Sequence, residues 1–155
     1  MTERRAGREL VQATCVALDG LGLLLRGRPG IGKSDLALRL VDEGARLVSD
    51  DLVQIELRDG RLMARLPDGA PPETSGRVEV RGLGILPVPS VAEAALALVV
   101  ELKPQGEIDR LPEPKRWSCL GIELPVVEID PRAASATAKL RLVARSAPAG
   151  IMPPP

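Results

Sequence analysis

The chain lacks histidine, phenylalanine and tyrosine altogether, and Trp117 is the single aromatic side chain among its 155 residues. Without histidine, the chain cannot build a histidine-ligated metal site, a Ser-His-Asp triad or a phosphohistidine relay. Without Phe and Tyr, the core must be made from Leu, Val, Ile and Ala. The two cysteines, Cys15 and Cys119, are far apart and match no metal-binding spacing, so we expect two buried thiols in a reducing cytosol.

An excess of either charge is also missing, since 21 basic residues balance 21 acidic ones. This balance gives no electrostatic reason to expect nucleic acid or an anionic membrane as a partner. The longest apolar run, residues 94–100, is too short to cross a bilayer, and the polar start MTERRAGREL has no signal-peptide core. We therefore expect a cytoplasmic protein.

Short apolar runs and turn signals predict an α/β domain with a mixed sheet. The predicted strands are residues 11–18, 21–25, 46–49, 52–57, 62–66, 78–80, 95–102 and 121–129. Residues 1–10 resemble a ragged, charged start. The domain is expected to span residues 1–145 and to be followed by a disordered Pro-rich tail, residues 146–155.

Helical spacing of apolar residues predicts two main helices, at residues 33–43 and 131–145. Gly44 is the expected stop of the first helix, and Asp130 with Pro131 the expected start of the second. Ser90 followed by Glu93 is the pattern of a capped short helix.

The most specific motif is residues 27–34, which fit G-x-x-x-x-G-K-S and follow an apolar strand. Its members are Gly27, Arg28, Pro29, Gly30, Ile31, Gly32, Lys33 and Ser34. Glycines allow backbone N–H groups to surround phosphates, and the following helix adds its N-terminal partial positive charge. Lys33 suits the β and γ phosphates and Ser34 suits Mg²⁺. The motif predicts nucleotide binding without defining a reaction; we call residues 27–34 the phosphate loop.

Three further features are candidates for the chemistry. Asp50 and Asp51 follow the next predicted strand, where a carboxylate can hold Mg²⁺ or accept a proton, although a solvated turn or helix cap is the alternative. The segment from Glu79 continues into Arg81, Gly82 and Gly84, whose alternative interpretation is a structural turn. Arg110 could reach a transferring phosphate, or it could be an ordinary solvated loop residue.

Four segments together resemble the catalytic domain of the HPr kinase/phosphorylase family. In chain order they are GLGLLLRGRPGIGKSDLALRL, ARLVSDD, VEVRGLGILPV and IDRL. The likeness is to the short form, in which no separate N-terminal domain precedes the catalytic one. It implies an ATP- and Mg²⁺-dependent serine kinase for the HPr phosphocarrier, a sheet like that of phosphoenolpyruvate carboxykinase, and a hexameric assembly.

The resemblance also implies roles for individual residues. Lys33 matches the phosphate-loop lysine, and Ser34 and Glu79 match Mg²⁺ ligands. Asp51 matches the carboxylate that takes the serine proton in the kinase reaction and returns it in phosphorolysis, the reverse activity that the resemblance also implies. Arg110 matches an active-site arginine. Gln12 stands where the family has histidine, and glutamine can donate and accept hydrogen bonds but cannot titrate.

Two other functions fit the same residues: an ATP-sensing module that transfers nothing, and a small-molecule kinase on a related scaffold. Pyrophosphate is an alternative donor to ATP. A protein acceptor needs exposed apolar surface near the loop, for which Ile85, Leu86 and Val88 are candidates; ordinary packing is the alternative, and the favoured one for Ile85.

Overall fold

Ten strands of the computed structural model form one mixed sheet, and two more form a separate hairpin. The structure describes residues 2–5 and 7–146. The strands are β1 (Thr2–Arg5), β2 (Arg8–Val11), β3 (Thr14–Leu18), β4 (Leu21–Arg26), β5 (Arg46–Ser49), β6 (Val53–Arg58), β7 (Arg61–Arg65), β8 (Arg77–Val80), β9 (Gly84–Pro87), β10 (Glu93–Leu102), β11 (Lys115–Cys119) and β12 (Ile122–Ile129). The helices are α1 (Lys33–Asp42) and α2 (Ala136–Ser146), with short 3-10 turns at Pro72–Thr74 and Gln105–Glu107.

The sheet runs in the order β1-β2-β6-β7-β10-β4-β3-β5. The long strand β10 pairs with β4 along one side; on the other side its start pairs with β7 and its end with β12, which also carries β11. Strand β10 is parallel to β4 and β12, whereas β3 is antiparallel to both β4 and β5. Strands β4, β5, β10 and β12 therefore end at one edge of the sheet, and β3 begins there.

Both faces of the central strands are buried, which explains why these strands are nearly all apolar. On one face, Leu23 and Leu25 of β4 pack with Leu36 and Leu40 of α1 and with residues of α2. On the other face, Leu24 packs in a second core that includes residues of β6, β7, β11 and β12. The sheet therefore curls so that its outer strands cover this second face.

The predicted α/β class with a mixed sheet is confirmed, and so is helix α1. Leu36, Ala37, Leu40 and Val41 of α1 are buried at helical spacing. No helix in the described ranges combines the length and hydrophobicity that crossing a bilayer requires.

Two predictions at the amino end are wrong. Residues 2–5 and 7–10 are not a ragged start, because β1 and β2 form an antiparallel hairpin and β2 joins the sheet through β6. The single strand expected at residues 11–18 is divided: β2 ends at Val11 and β3 begins at Thr14. Local charge suggested a solvated end, whereas pairing to a distant strand decides the structure.

The two predicted helix caps are also wrong. Ser90 forms an isolated bridge with Leu47 of β5, and Glu93 begins β10, so no helix forms between them. Asp130 does not cap α2, which begins five residues later than residue 131. Its carboxylate instead accepts hydrogen bonds from the N–H groups of Arg132 (2.8 Å) and Gln105 (2.9 Å). Ser146 ends α2 and so is not part of the tail, and residues 147–155 lie outside the described ranges.

Candidate active site

The shared edge of β4, β5 and β12 opens into a cavity of about 870 Å³. Segments from four places line it: residues 29–35 with Leu38 and Arg39; Asp50 and Asp51; residues 79–81; and Pro131 with Arg132. Loops at the carboxyl ends of strands in α/β sheets commonly form ligand sites. The phosphate loop and the acidic pair, distant in sequence, therefore face one space.

Glycine is required at two positions of the phosphate loop. A Cβ on Gly27 would come within 2.8 Å of the Ile31 side chain and 3.1 Å of the Leu102 carbonyl oxygen. Gly32 caps α1 with a φ of 115°, a conformation that side chains rarely adopt. The glycines thus let β4 turn sharply into the amino end of α1, whose N–H groups attract anions.

Lys33 lies at the start of α1 and lines the cavity. Its ammonium group donates hydrogen bonds to the carbonyl oxygens of Gly27 (2.9 Å) and Arg28 (3.2 Å). These bonds fold the side chain back over the loop, so its charge stays beside the loop's N–H groups. This is the position from which a lysine can bind phosphate oxygens.

Asp50 is held by two hydroxyl groups. The Ser34 hydroxyl donates to Asp50 Oδ1 at 2.9 Å, and the Thr14 hydroxyl donates to the same oxygen at 2.8 Å. Thr14 is fully buried at the start of β3. The acidic strand end and the phosphate loop are therefore joined through one carboxylate oxygen.

Asp51 occupies a strained turn. Its φ is 73°, and the Leu52 N–H donates to the Asp50 carbonyl oxygen at 2.9 Å, the pattern of a γ-turn with positive φ. Such turns are rare, and backbone outliers of this type cost on the order of 1–3 kcal/mol. The Ser49 hydroxyl braces the turn by donating to the Leu52 carbonyl oxygen at 2.6 Å. The exposed Asp51 side chain is thereby held in the cavity lining.

Glu79 reaches the cavity from the β8–β9 hairpin. Glu79 pairs with Ile85 across the hairpin, so the two side chains share a face. Strand β8 ends at Val80, so Arg81 is not held on the same face as Glu79 by strand geometry. Glu79, Val80 and Arg81 all line the cavity. Gly82 and Gly84 have φ values of 86° and 107° and form the turn of the hairpin without lining the cavity.

The exposed apolar side chains of the hairpin differ from the expectation. Ile85 is 66% exposed and Leu83 is 71% exposed, so the packing interpretation of Ile85 is wrong. Leu86 is 37% exposed, whereas Val88 packs against the core under α1. The apolar surface beside the cavity therefore comes from Leu83, Ile85 and Leu86.

Besides the hairpin glycines, the predicted site residues Gln12, Gly27, Arg28 and Arg110 lie outside the cavity lining. Gln12 is exposed in the break between β2 and β3, two residues before Thr14. Arg110 is exposed in the loop between β10 and β11. Arg28 points toward that loop and forms an ion pair with Glu107 at 3.8 Å. The roles expected for Gln12 and Arg110 stay predictions.

Sequence reasoning missed Arg39, Arg132 and Thr14. Arg39 lines the cavity and is held by Asp35 (3.3 Å) and the Pro131 carbonyl oxygen, while Arg132 follows the end of β12. The rule that located Asp50 also applies to β12, so the residues after Ile129 were a detectable signal. Thr14 required knowledge that β3 runs between β4 and β5 in the opposite direction.

The buried thiol of Cys15, next to Thr14, is excluded as a nucleophile. Burial raises the pKa of Cys15 to about 12, so the thiolate is scarce at neutral pH. Both cysteines are buried, as expected.

The donors around the phosphate loop fit Mg²⁺. Ser34, Asp50 and Glu79 offer only oxygen atoms, which this hard cation prefers. Within residues 2–5 and 7–146, no group of three or more His, Cys, Asp and Glu side chains could hold a metal ion alone. Mg²⁺ usually takes one or two carboxylates and completes its shell with substrate phosphates and water, so this small donor set is the appropriate kind.

Comparison with known proteins identifies the family of the chain. The family model of the HPr Serine kinase C-terminal domain matches residues 3–146. The chain is 39% identical to an HPr kinase/phosphorylase of Clostridium tetani over 126 residues, covering 79% of this chain and 39% of the relative. It is 35% identical to one of Geobacillus thermodenitrificans over 133 residues, covering 79% and 42% respectively.

A solved structure shares the fold. The Hpr(Ser) kinase/phosphatase from Coxiella burnetii superposes with a TM-score of 0.78 at 24% identity and covers 91% of each chain. The match of the family model to residues 3–146 shows that this protein belongs to the HPr serine kinase C-terminal domain family. The chain spans about two fifths of the length of the curated relatives described above.

Proposed function

We propose that this protein is an ATP-dependent protein-serine kinase that acts on an HPr-like phosphocarrier. The observation that carries the proposal is the position of Asp51, an exposed carboxylate presented by a strained turn in the same cavity as the phosphate loop. Strained backbone outliers cluster at active sites. The family membership and the names of the relatives support the same activity.

In the proposed reaction, the phosphate-loop N–H groups and Lys33 bind the ATP phosphates. A seryl hydroxyl of the carrier attacks the γ-phosphorus, and Asp51 takes its proton. The new O–P bond forms as the bond between the γ-phosphorus and the β,γ-bridging oxygen breaks, and ADP leaves with that electron pair. Arg39, Arg81 and Arg132, which line the cavity, provide positive charge for the transferred group.

Mg²⁺ would be held by Ser34 and Glu79, with Asp50 accepting a hydrogen bond from the Ser34 hydroxyl. When bound, it supplies positive charge that offsets the charge of the nucleotide phosphates. The chain's own contribution is the fixed orientation of the Ser34 hydroxyl, which donates to Asp50 and leaves its oxygen lone pairs directed elsewhere.

A protein acceptor is favoured over a small metabolite by the surroundings of Asp51. The Asp51 side chain is exposed, and the neighbouring hairpin displays Leu83 and Ile85 to solvent. Exposed apolar groups beside a reactive carboxylate are typical of a docking surface for a macromolecule. A small-molecule kinase instead encloses its acceptor.

The test is transfer of label from [γ-³²P]ATP to purified HPr-type carriers of the same genome, with Mg²⁺ or with EDTA, and with labelled pyrophosphate in parallel. The expected result is Mg²⁺-dependent labelling of a carrier by ATP. ATP binding in calorimetry without any labelled carrier would favour the ATP-sensing alternative, and a labelled metabolite in cell extract would favour the small-molecule kinase. The hexameric state also stays a proposal and is tested by light scattering.

A further inference from the structure

We infer that Thr14 is a positioning residue that sets both aspartates of the site, and this inference rests on the proposed function. Thr14 is not itself part of the cavity lining; its effect would pass through Asp50 and Asp51, which are. Its side chain lies where β3 begins and where the neighbouring strands β4 and β5 end.

The sheet order places Thr14 between the two halves of the site. Strand β3 lies between β4, which leads into the phosphate loop, and β5, which leads into the acidic pair. Thr14 is opposite Leu25 of β4, and its neighbour Cys15 is opposite Ser49 of β5. The first side chain of β3 is therefore adjacent to both functional loops.

The Thr14 hydroxyl both donates and accepts a hydrogen bond. Its single proton is donated to Asp50 Oδ1 at 2.8 Å, and its oxygen accepts a long hydrogen bond from the Asp51 N–H at 3.4 Å. The first bond fixes the carboxylate that receives the Ser34 hydroxyl. The second contact lies on the strained peptide that presents the Asp51 side chain.

Removing this hydroxyl leaves Asp50 Oδ1 with Ser34 as its remaining hydroxyl donor among the described residues. The carboxylate then has more rotational freedom, and the Ser34 hydroxyl loses a fixed acceptor. Partners that orient metal ligands typically contribute 10–100-fold to metal affinity or activity. The defect should therefore appear in the Mg²⁺-dependent part of nucleotide binding and in the transfer rate constant.

A buried threonine could instead serve packing alone, and two substitutions separate these roles. Thr14→Val keeps the volume and removes the hydroxyl, whereas Thr14→Ser keeps the hydroxyl and removes a methyl group from a fully buried site. Packing alone predicts that the serine variant is the more damaged of the two. Positioning predicts the reverse.

The experiment measures the dissociation constant of ATP by calorimetry in Mg²⁺ and in EDTA for the parent, Thr14→Val and Thr14→Ser. We expect the affinity gain from Mg²⁺ to fall about tenfold or more in Thr14→Val and to be near the parental value in Thr14→Ser, while affinity in EDTA stays equal in all three. In the transfer assay, kcat should fall in Thr14→Val with little change in KM for the carrier. Equal behaviour of parent and Thr14→Val, or equal loss in both variants, would overturn the inference.

Two further arms keep the test decisive. In an Asp50→Asn background, Thr14→Val should have no additional effect on the Mg²⁺-dependent affinity; a full additional loss contradicts action through Asp50. If Thr14→Val does not fold, Thr14→Ala, which also lacks the hydroxyl, takes its place with the same expectation relative to Thr14→Ser. Because the calorimetry uses no acceptor, a parent that binds MgATP but labels no carrier would defeat the proposed function and leave this inference standing.

Discussion

Two groups of carboxylates in this molecule are held in opposite ways. At the cavity, hydroxyl groups hold Asp50, and no Lys or Arg of the described residues forms an ion pair with Asp50, Asp51 or Glu79. Around β6 and β7, arginines form ion pairs with each member of a second group. Its ion pairs are Arg8 with Asp68 (2.7 Å), Arg58 with Glu56 (3.0 Å) and Glu93 (2.9 Å), and Arg65 with Glu56 (3.6 Å) and Asp68.

This difference suggests that the second group stabilises the fold, whereas the cavity group takes part in the reaction. Hydrogen bonds from Arg58 and Gln54 lower the pKa of Glu56, and Gln54, with Arg65 and Arg8 nearby, lowers the pKa of Asp68. Those carboxylates already have their partners and can only support the sheet. The cavity carboxylates are oriented but retain their charge for a cation or a proton. Substitutions in the two groups should therefore give different kinds of defect.

The largest effect is expected for Asp51→Asn. Loss of a general base should lower the transfer rate by about 10²–10⁴-fold. The unfolding temperature should not change, because asparagine tolerates the positive φ of this position. Initial rates of carrier labelling and a thermal melt check both statements. Transfer at the parental rate would contradict the role given to Asp51.

Lys33→Met should follow, with transfer reduced by about 10²–10³-fold because the ammonium group no longer stabilises the transferring phosphate. ATP affinity should fall as well, since the same group binds phosphate before transfer. The matched control is Lys139→Met, at an exposed position of α2 outside the cavity lining. If both substitutions reduce transfer equally, general charge rather than position explains the effect.

Glu56→Gln tests the second group. It removes the charge that Arg58 and Gln54 hydrogen-bond, so the free energy of unfolding should fall by about 1 kcal/mol. Transfer at a temperature where the variant is folded should stay within about twofold of the parent, because Glu56 lies outside the cavity. Urea unfolding and the labelling assay measure the two quantities. A variant of parental stability that had lost transfer would break the division between the groups.

The smallest effect is a change in acid sensitivity. Because the folded pKa values of Glu56 and Asp68 lie below their ordinary values of 4.5 and 3.8, the unfolded chain binds more protons in the acid range. Their contribution is complete above the ordinary values and is lost as the pH falls below them. Urea unfolding between pH 7 and pH 3 should show this loss in the parent and a shallower one in Glu56→Gln. Identical slopes would mean that the arginine contacts do not favour the charged carboxylate.

Local signals were sufficient where the chain's own spacing decides the structure. The phosphate loop and α1 could be predicted because glycine positions and helical spacing are read within twenty residues, and the apolar run of β10 marked a central strand. Local signals were insufficient where pairing with a residue distant in sequence decides the local structure. The pattern at Ser90 favoured a helix, but Leu47 of β5 exchanges hydrogen bonds with Pro89 and Val91, which holds this segment extended.

The same distinction between local and distant signals applies to the residues of the site. Each loop that follows a parallel strand could be recognised from its own residues, as with Asp50 and Asp51. Thr14 could not, because its place depends on β3 running opposite to β4 and β5. Strand order is a property of the whole sheet, and no short motif encodes it.

The most direct test of the central claim is to identify the phosphorylated residue of an HPr-type carrier after incubation with this protein, ATP and Mg²⁺. Mass spectrometry should find phosphate on a serine of the carrier in the parental reaction, and none with Asp51→Asn over the same time. A carrier that stays unmodified while MgATP is bound, or phosphate on a residue other than serine, would contradict the account.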